Sequence, residues 1–523
     1  MIAEKRVLLL TGQMAFQDLK RVTTDFPLVS VECLPITVAA FTTPRIVQKH
    51  VSTLLKEKKP DLILVSGLAR GDFTQTAEQI GIPVMKGTRY LTALPPLLRN
   101  LHQVVPMLSA KYEADSVIQK ILVDQLRDYM KHLERETVFG KRNFRLRSGY
   151  PIGIDFPPRV MAEVVDVTTR SVEESIATAQ FFAEWADILD VGATIDEHDP
   201  ERIAEIVTEL RRFGLPISVD SLDRNEILAG VDAGAEIVLS VDMGNLGVTD
   251  KLPEDAVLVC LPTNISAGLY PPDPNERAQA CHKLCDHLRT KGFEKIIADP
   301  LMEAPVQPGL MNSLRAYHQC RILDENLPLL AGFANVTEFV DSDTAGMNAL
   351  LACLGIELGI SVFLSTEERP STYRCISELK SAALMGFVAG YMKSPPKEIG
   401  ATAYVAKSSG LDVQAVSMDE SYRSIEDRET EWKLDKGGYF RIGIDRHRNR
   451  VLCEHRGRKG VVQRVASENA SAILQEILTK GLVTTLSHAA YLGSELTKAE
   501  IALRSGHNYR QDAPWEIELS VGV

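Results

Sequence analysis

The chain has no sustained run of lysine or arginine, and its 523 residues carry a formal net charge of −12. A surface for nucleic acid or anionic lipid is therefore not expected. No uninterrupted apolar stretch reaches the length of a membrane span, and the opening run Val7–Leu10 is too short for a signal peptide. Together these absences point to a soluble, cytoplasmic protein. The dinucleotide fingerprint Gly-x-Gly-x-x-Gly is missing too, so the glycines after the first strands read as turns and no nucleotide site is expected there. The eight cysteines are scattered through apolar or helical contexts, which fits a reducing compartment. Cys281 and Cys285, with His282 and His287 nearby, lack a second ligand pair and read as a buried helix face rather than a metal site. His447, His455 and His488 likewise lack close ligand spacing and read as structural or surface residues.

What is present is an ordinary globular composition, 45% hydrophobic and 24% charged, in a chain long enough for about three domains. Residues 1–145 alternate strands (Val7–Leu10, Leu62–Val65), Gly-containing loops and helices (Pro44–Lys56), the pattern of a Rossmann-like α/β domain. A long polar helix, Ala114–Glu136, and the basic segment Lys141–Arg147 then lead into a second domain, residues 150–397. Its plausible closing helix, Ser371–Met392, is broken by Lys393-Ser-Pro-Pro-Lys397. Residues 400–523 read as a small α+β domain: a three-strand meander from Glu431–Leu434, Tyr439–Asp445 and Arg450–His455, then helices near Ser467–Lys480 and Ser487–Arg504.

The central domain repeats one motif. Four apolar runs, Arg159–Val167, Asp187–Val191, Leu215–Asp220 and Lys295–Asp299, place Asp166, Asp190, Asp220 and Asp299 near their C-terminal ends. Helical segments between them open on Ser171 with Glu174, Asp199-Pro200, Asp223 and Asp273-Pro274. Counting every such unit yields eight candidate strands, near residues 161, 187, 216, 236, 256, 295, 328 and 361. Eight strands alternating with helices over roughly 250 residues predict a (β/α)8 TIM barrel, whose C-terminal strand ends form the active face. Acids converging there repel each other unless a cation or a donor-rich ligand lies among them. Two ligands fit: a hard divalent ion such as Mg2+, or a heterocycle with paired N–H donors, such as the aminopyrimidinone edge of a pterin.

The ordered set Val165-Asp-Val-Thr168, Asp190-Val-Gly-Ala-Thr194, Ile217-Ser-Val-Asp220 with Ala233-Gly-Ala235, Asp299-Pro300 and Leu330-Ala-Gly332 resembles the pterin-binding barrel of dihydropteroate synthase. The likeness covers roughly residues 155–390. With its flanking domains the whole chain resembles the dihydropteroate synthase-related proteins of organisms that use tetrahydromethanopterin. The resemblance implies that Asp220 and Asp299 grip the pterin edge and that Asp190 lies close to the pterin. It places Asp166 where the synthases have an Asn near Mg2+-pyrophosphate, making Asp166 the expected metal ligand. Ser240 stands where an Asn completes pterin recognition. The synthases follow strand seven with Ser-Arg-Lys, whereas Gly332-Phe-Ala-Asn335-Val-Thr337 has neither cation, and Ser365-Thr-Glu-Glu368 replaces an Arg-x-His after strand eight. Arg170, Arg369 and Arg374 are the candidates to stand in.

That same segment around Asn335 also resembles the pterin-dependent methyltransferases that methylate a corrinoid, in which an Asn bonds near the pterin N5. The implied function is a transferase joining 6-hydroxymethyl-7,8-dihydropterin pyrophosphate to an arylamine, a ribofuranosylaminobenzene phosphate, in tetrahydromethanopterin biosynthesis. Asn335 and Asp190 are its expected catalytic residues, Mg2+ its expected cofactor and a homodimer its expected state. The alternatives are a tetrahydropterin-dependent corrinoid methyltransferase and a non-catalytic pterin-binding protein.

Overall fold

The computed structural model describes residues 5–54, 59–397, 399, 401–406, 435–446, 448–457 and 460–513. The chain divides into two compact units: Met1–Val138 with Leu384–Thr402, and Phe139–Ala383 with Ala403–Val523.

In the first unit, β1 (Val7–Thr11), β2 (Val29–Cys33), β3 (Leu62–Val65) and β4 (Val84–Lys86) form a parallel sheet in the order β2-β1-β3-β4. The fully buried VLLLT and LILV runs make its central pair, as strands covered on both faces require. Helix Asp115–Glu136 follows.

The second unit opens with a hairpin of β5 (Asn143–Arg145) and β6 (Pro151–Gly153). A closed parallel barrel then follows from β7 (Arg159–Val164), β8 (Ile188–Gly192), β9 (Ile217–Asp220), β10 (Ile237–Val241), β11 (Val257–Cys260), β12 (Ile296–Ala298), β13 (Leu329–Gly332) and β14 (Ile360–Ser365). All eight strands lie where the apolar runs predict them. The helix starts follow their signals as well: Ser171 and Glu174 form a reciprocal capping box, and Asp199, Asp223 and Asp273 each accept backbone N–H groups of the first helical turn.

Alternation along the strands separates two apolar layers. Met161, Ile188, Ile237, Val257, Ile297, Leu330 and Val362 pack as one cluster inside the barrel, with Phe144, Leu146 and Ile152 of the hairpin region among them. Their neighbours Val160, Leu189, Val238, Leu258, Leu329 and Phe363 pack outward against the helices, where Cys281 and Cys285 are fully buried. Continuing the inward parity toward the C-terminal ends brings up Glu163, Asp190, Asp220 and Asp299.

Beyond the barrel, β15 (Tyr439–Asp445), β16 (Arg450–Gly457) and β17 (Gly460–Ser467) form an antiparallel sheet, followed by helices Ala470–Thr479 and Leu486–Ser505. Leu492, Leu496, Ala499 and Leu503 line one side of the last helix and share a core with Phe440, Ile442 and Val451. The expected strand Glu431–Leu434 and the residue His447 lie outside the described residues, and Gly460–Ser467 is a strand that the sequence reading passes over. His455 is buried, with Nε2 3.1 Å from the Gly437 carbonyl, and His488 Nδ1 lies 3.1 Å from Asp435 Oδ2.

Candidate functional site

Three carboxylates meet where β7, β8 and β9 lie side by side. Parallel register sets Glu163 opposite Asp190 and Gly192 opposite Asp220. One oxygen from each of Glu163, Asp190 and Asp220 lies within 4.8 Å of the others. Gly192 makes room for this approach, because a Cβ there would stand 2.5 Å from Glu163 Oε1. Ser218, one strand along, donates its hydroxyl to Asp190 Oδ1, while Asp190 Oδ2 is buried without a partner among the described residues.

A fourth acid, Asp299, follows β12. Its Oδ1 accepts from the Tyr317 hydroxyl at 2.6 Å and from the Leu301 N–H at 2.8 Å, and the same hydroxyl lies 2.9 Å from the Leu330 carbonyl. Ser240, at a register shift in β10, places its hydroxyl 3.4 Å from Asp220 Oδ1.

Burial disfavours the charged form of all four acids. Desolvation raises Asp190 to about 7, opposed by the Ser218 hydrogen bond, and raises Asp299 to about 6, opposed by Tyr317. Desolvation also lifts Glu163 and Asp220 well above the usual carboxylate range, and their acidic neighbours push the same way: Asp190, Asp220, Glu338 and Glu368 on Glu163, and Asp190 and Asp299 on Asp220. Raised carboxyls gathered in one barrel mouth mark it as a candidate site for a ligand that brings positive charge or N–H donors.

The loops around the mouth are tied together by buried acids. Asp242 accepts from Gly244 and Asn245 N–H groups after β10 and from the Thr263 hydroxyl and Ile265 N–H after β11. Glu303, after β12, pairs with Arg277 at 2.7 Å and accepts from the Tyr270 hydroxyl at 2.9 Å.

Of the residues singled out in the sequence, Asp190, Asp220, Asp299 and Ser240 therefore share this mouth. Asp166 does not join the three-acid cluster: β7 ends at Val164, and Asp166 is exposed in a left-handed turn at φ 55°. Asn335 is exposed on the short helix Ala334–Thr337 after β13, and its amide nitrogen donates to the Met302 carbonyl at 3.0 Å. As a carboxylate, Asp166 has the oxygen donor that Mg2+ takes, but it stands as a single ligand. Glu163, the acid that β7 does send into the mouth, is not among the aspartates at the strand ends; its sign in the sequence is its place two residues after Met161, on the inward parity.

The three candidate arginines separate. Arg170 ion-pairs with Glu368 across the β7 and β14 loops. The Arg369 guanidinium lies 5.8 Å from the Phe339 ring centroid and opposes the burial that raises the carboxyl of Glu338. Arg374 turns away, its Nη1 3.3 Å from the Arg504 carbonyl. Glu367 also leaves the mouth, accepting the Arg374 and Ile376 N–H groups at 2.8 and 3.0 Å.

Residues 434–512 match a family described as PterinBD-DUF4346, and residues 5–89 match one described as Family of unknown function (DUF6513). Over 522 residues the chain is 31% identical to the uncharacterized protein MJ0107 of Methanocaldococcus jannaschii, covering 97% of this chain and 98% of that protein. Among solved structures, it is similar to dihydropteroate synthase from Xanthomonas albilineans in complex with 7,8-dihydropteroate, at 21% identity and a TM-score of 0.34 over 45% of this chain and 96% of that one. It is also similar to Yersinia pestis dihydropteroate synthase with a pterine-sulfa conjugate, at 16% identity and a TM-score of 0.37 over 48% and 98%.

Proposed function

We propose a pterin-binding transferase for this chain, which belongs to the family of protein MJ0107 of Methanocaldococcus jannaschii. One observation carries the reading: four acids, Asp190 and Asp299 buried and Glu163 and Asp220 half-buried, converge at the C-terminal mouth of a closed parallel barrel, with carboxyls raised by desolvation. An aminopyrimidinone edge supplies the paired N–H donors such a mouth lacks, and Asp220 and Asp299 are the residues that accept them. The family name PterinBD, matched by the C-terminal residues, agrees with a pterin ligand.

Within that reading the reaction is a condensation of the dihydropteroate synthase kind. A 6-hydroxymethyl-7,8-dihydropterin pyrophosphate loses pyrophosphate from its methylene as an arylamine forms the new C–N bond; the ribofuranosylaminobenzene phosphate of tetrahydromethanopterin biosynthesis is the acceptor of choice. Asp220, Asp299 and Asp190 hold the pterin so that its methylene faces the acceptor. Arg170 and Arg369 are the rim cations this chain offers to the departing pyrophosphate, in place of the synthases' Lys and Arg. Mg2+ would supply further charge for that leaving group, and Asp166 is the rim oxygen that would hold it.

Methyl transfer from a tetrahydropterin to a corrinoid is the second reading. It is favoured by Asn335, whose side chain is oriented by the Met302 carbonyl at the edge of the mouth.

Calorimetric titration with 6-hydroxymethylpterin tests the shared premise. Asp220→Asn and Asp299→Asn should each weaken binding by about 1–3 kcal/mol, the cost of leaving buried donors poorly paired. Unaltered affinity in both variants would remove the pterin from this mouth. Pyrophosphate release that depends on an arylamine supports the condensation, and corrinoid methylation that collapses in Asn335→Ala supports the second reading.

A further inference from the structure

We propose that Glu163, Asp190 and Asp220 form a site for one hard divalent cation of the Mg2+ or Mn2+ class. The site is carried by strands rather than loops and is separate from any ion that accompanies a pyrophosphate at Asp166. It goes beyond the pterin reading and does not depend on it.

Three observations converge. The register of β7, β8 and β9 brings one oxygen of each acid within 4.8 Å of the others, a separation that one ion can bridge with ligand distances of about 2.1–2.5 Å. Asp190 is fully buried and its Oδ1 is taken by Ser218, yet its Oδ2 has no partner among the described residues. A buried carboxylate oxygen left bare is costly, so its natural complement is a ligand that is not a protein side chain. Finally, Gly192 gives up its side-chain volume at the point where Glu163 leans across, since a Cβ would approach within 2.5 Å of that carboxylate.

The donor set is all carboxylate oxygen, with no thiolate or imidazole, which selects a hard ion and leaves the remaining coordination positions to water or substrate. Asp220 serves both readings without conflict, because a carboxylate has lone pairs on two oxygens: one can face the ion while the other accepts an N–H.

The test uses the full chain without pterin or pyrophosphate. After treatment with EDTA, Mn2+ is titrated and followed by loss of the free-ion paramagnetic resonance signal, with Mg2+ as competitor. One Mn2+ per chain is expected. Glu163→Gln and Asp190→Asn should each weaken it by more than about tenfold, since even outer partners of a metal site are worth that much. Far-UV circular dichroism establishes that the variants fold. Anomalous diffraction from Mn2+-soaked wild-type crystals locates the ion without any variant and should place it between the three carboxylates. No saturable binding, binding that survives both substitutions, or an ion at Asp166 instead would each overturn the proposal. Titrating hydroxymethylpterin into the metal-free protein keeps the two ideas apart: pterin binding without a Mn2+ site sinks this inference alone, and a Mn2+ site without pterin binding sinks only the pterin.

Discussion

At the scale of single residues, the site turns on how each acid is held. Asp299 accepts from two donors, the Tyr317 hydroxyl and the Leu301 N–H, and these oppose the burial that brings it to about 6. Its ionised form is the one that accepts ligand N–H groups, so pterin affinity should fall as pH drops through about 6. Tyr317→Phe removes a donor to the charged form, so the carboxyl should rise further and the pH at which affinity halves should move upward. Calorimetric titrations between pH 5 and pH 8, at roughly half-unit steps, check this; a midpoint unchanged from wild type would show that Asp299 does not govern binding. Glu163 and Asp166 show what could be read in advance. An Asp just past an apolar run is easy to notice, but strand parity decides which side chain enters a barrel. Glu163 has that parity with Met161, whereas Asp166 falls beyond the end of β7 in a left-handed turn.

At the scale of elements, the barrel was legible because buried parallel strands are short continuous apolar runs and their helices open on chemically explicit caps. Ser171, Asp199, Asp223 and Asp273 all cap as their sequence context implies. The strand Gly460–Ser467 was not, since its central Gln463 and Arg464 interrupt the apolar pattern and its pairing partner β16 is what makes it a strand. The cap of helix Cys375–Met392 was hidden as well, because it comes from Glu367, eight residues upstream of the first helical residue. Glu367 sits just after β14, where an acid reads as a mouth residue; its two backbone hydrogen bonds make it a cap instead. Burial raises its carboxyl to about 7, although the two N–H donors pull the other way. Glu367→Ala should leave both N–H groups without their acceptor and cost about 1–3 kcal/mol of stability, while pterin affinity stays as it was. Chemical denaturation and calorimetry on the same sample check the pair; an intact stability would mean that water replaces the carboxylate.

At the scale of the whole molecule, the ligand-free protein carries buried and half-buried acids with raised carboxyls, and these set the sign of its pH dependence near neutrality. Asp190 and Glu367 stand at about 7, Asp299 at about 6, and Glu163 and Asp220 are raised as well. Unfolding returns these groups to ordinary values near 4. Between those limits the folded chain binds more protons than the unfolded one, so stability present at the lower end is lost as pH rises. Each group titrating alone contributes a slope of about 1.4 kcal/mol per pH unit. Acids with depressed carboxyls, such as Asp155 beside Arg142 and Asp435 with its Thr484, Gly437 and His488 donors, act in the opposite sense, but their contribution is lost only as pH falls below the ordinary carboxylate range. The ligand-free protein should therefore melt at a higher temperature near pH 6 than near pH 8. A ligand that binds the ionised mouth, whether a pterin or a divalent ion, adds stability at the higher pH and should flatten the difference. Differential scanning calorimetry at the two pH values, with and without hydroxymethylpterin and with and without Mn2+, measures both effects. A melting temperature that rises from pH 6 to pH 8 in the ligand-free protein would mean that the mouth is already charged and hydrated, and the case for a ligand that replaces its protons would fail.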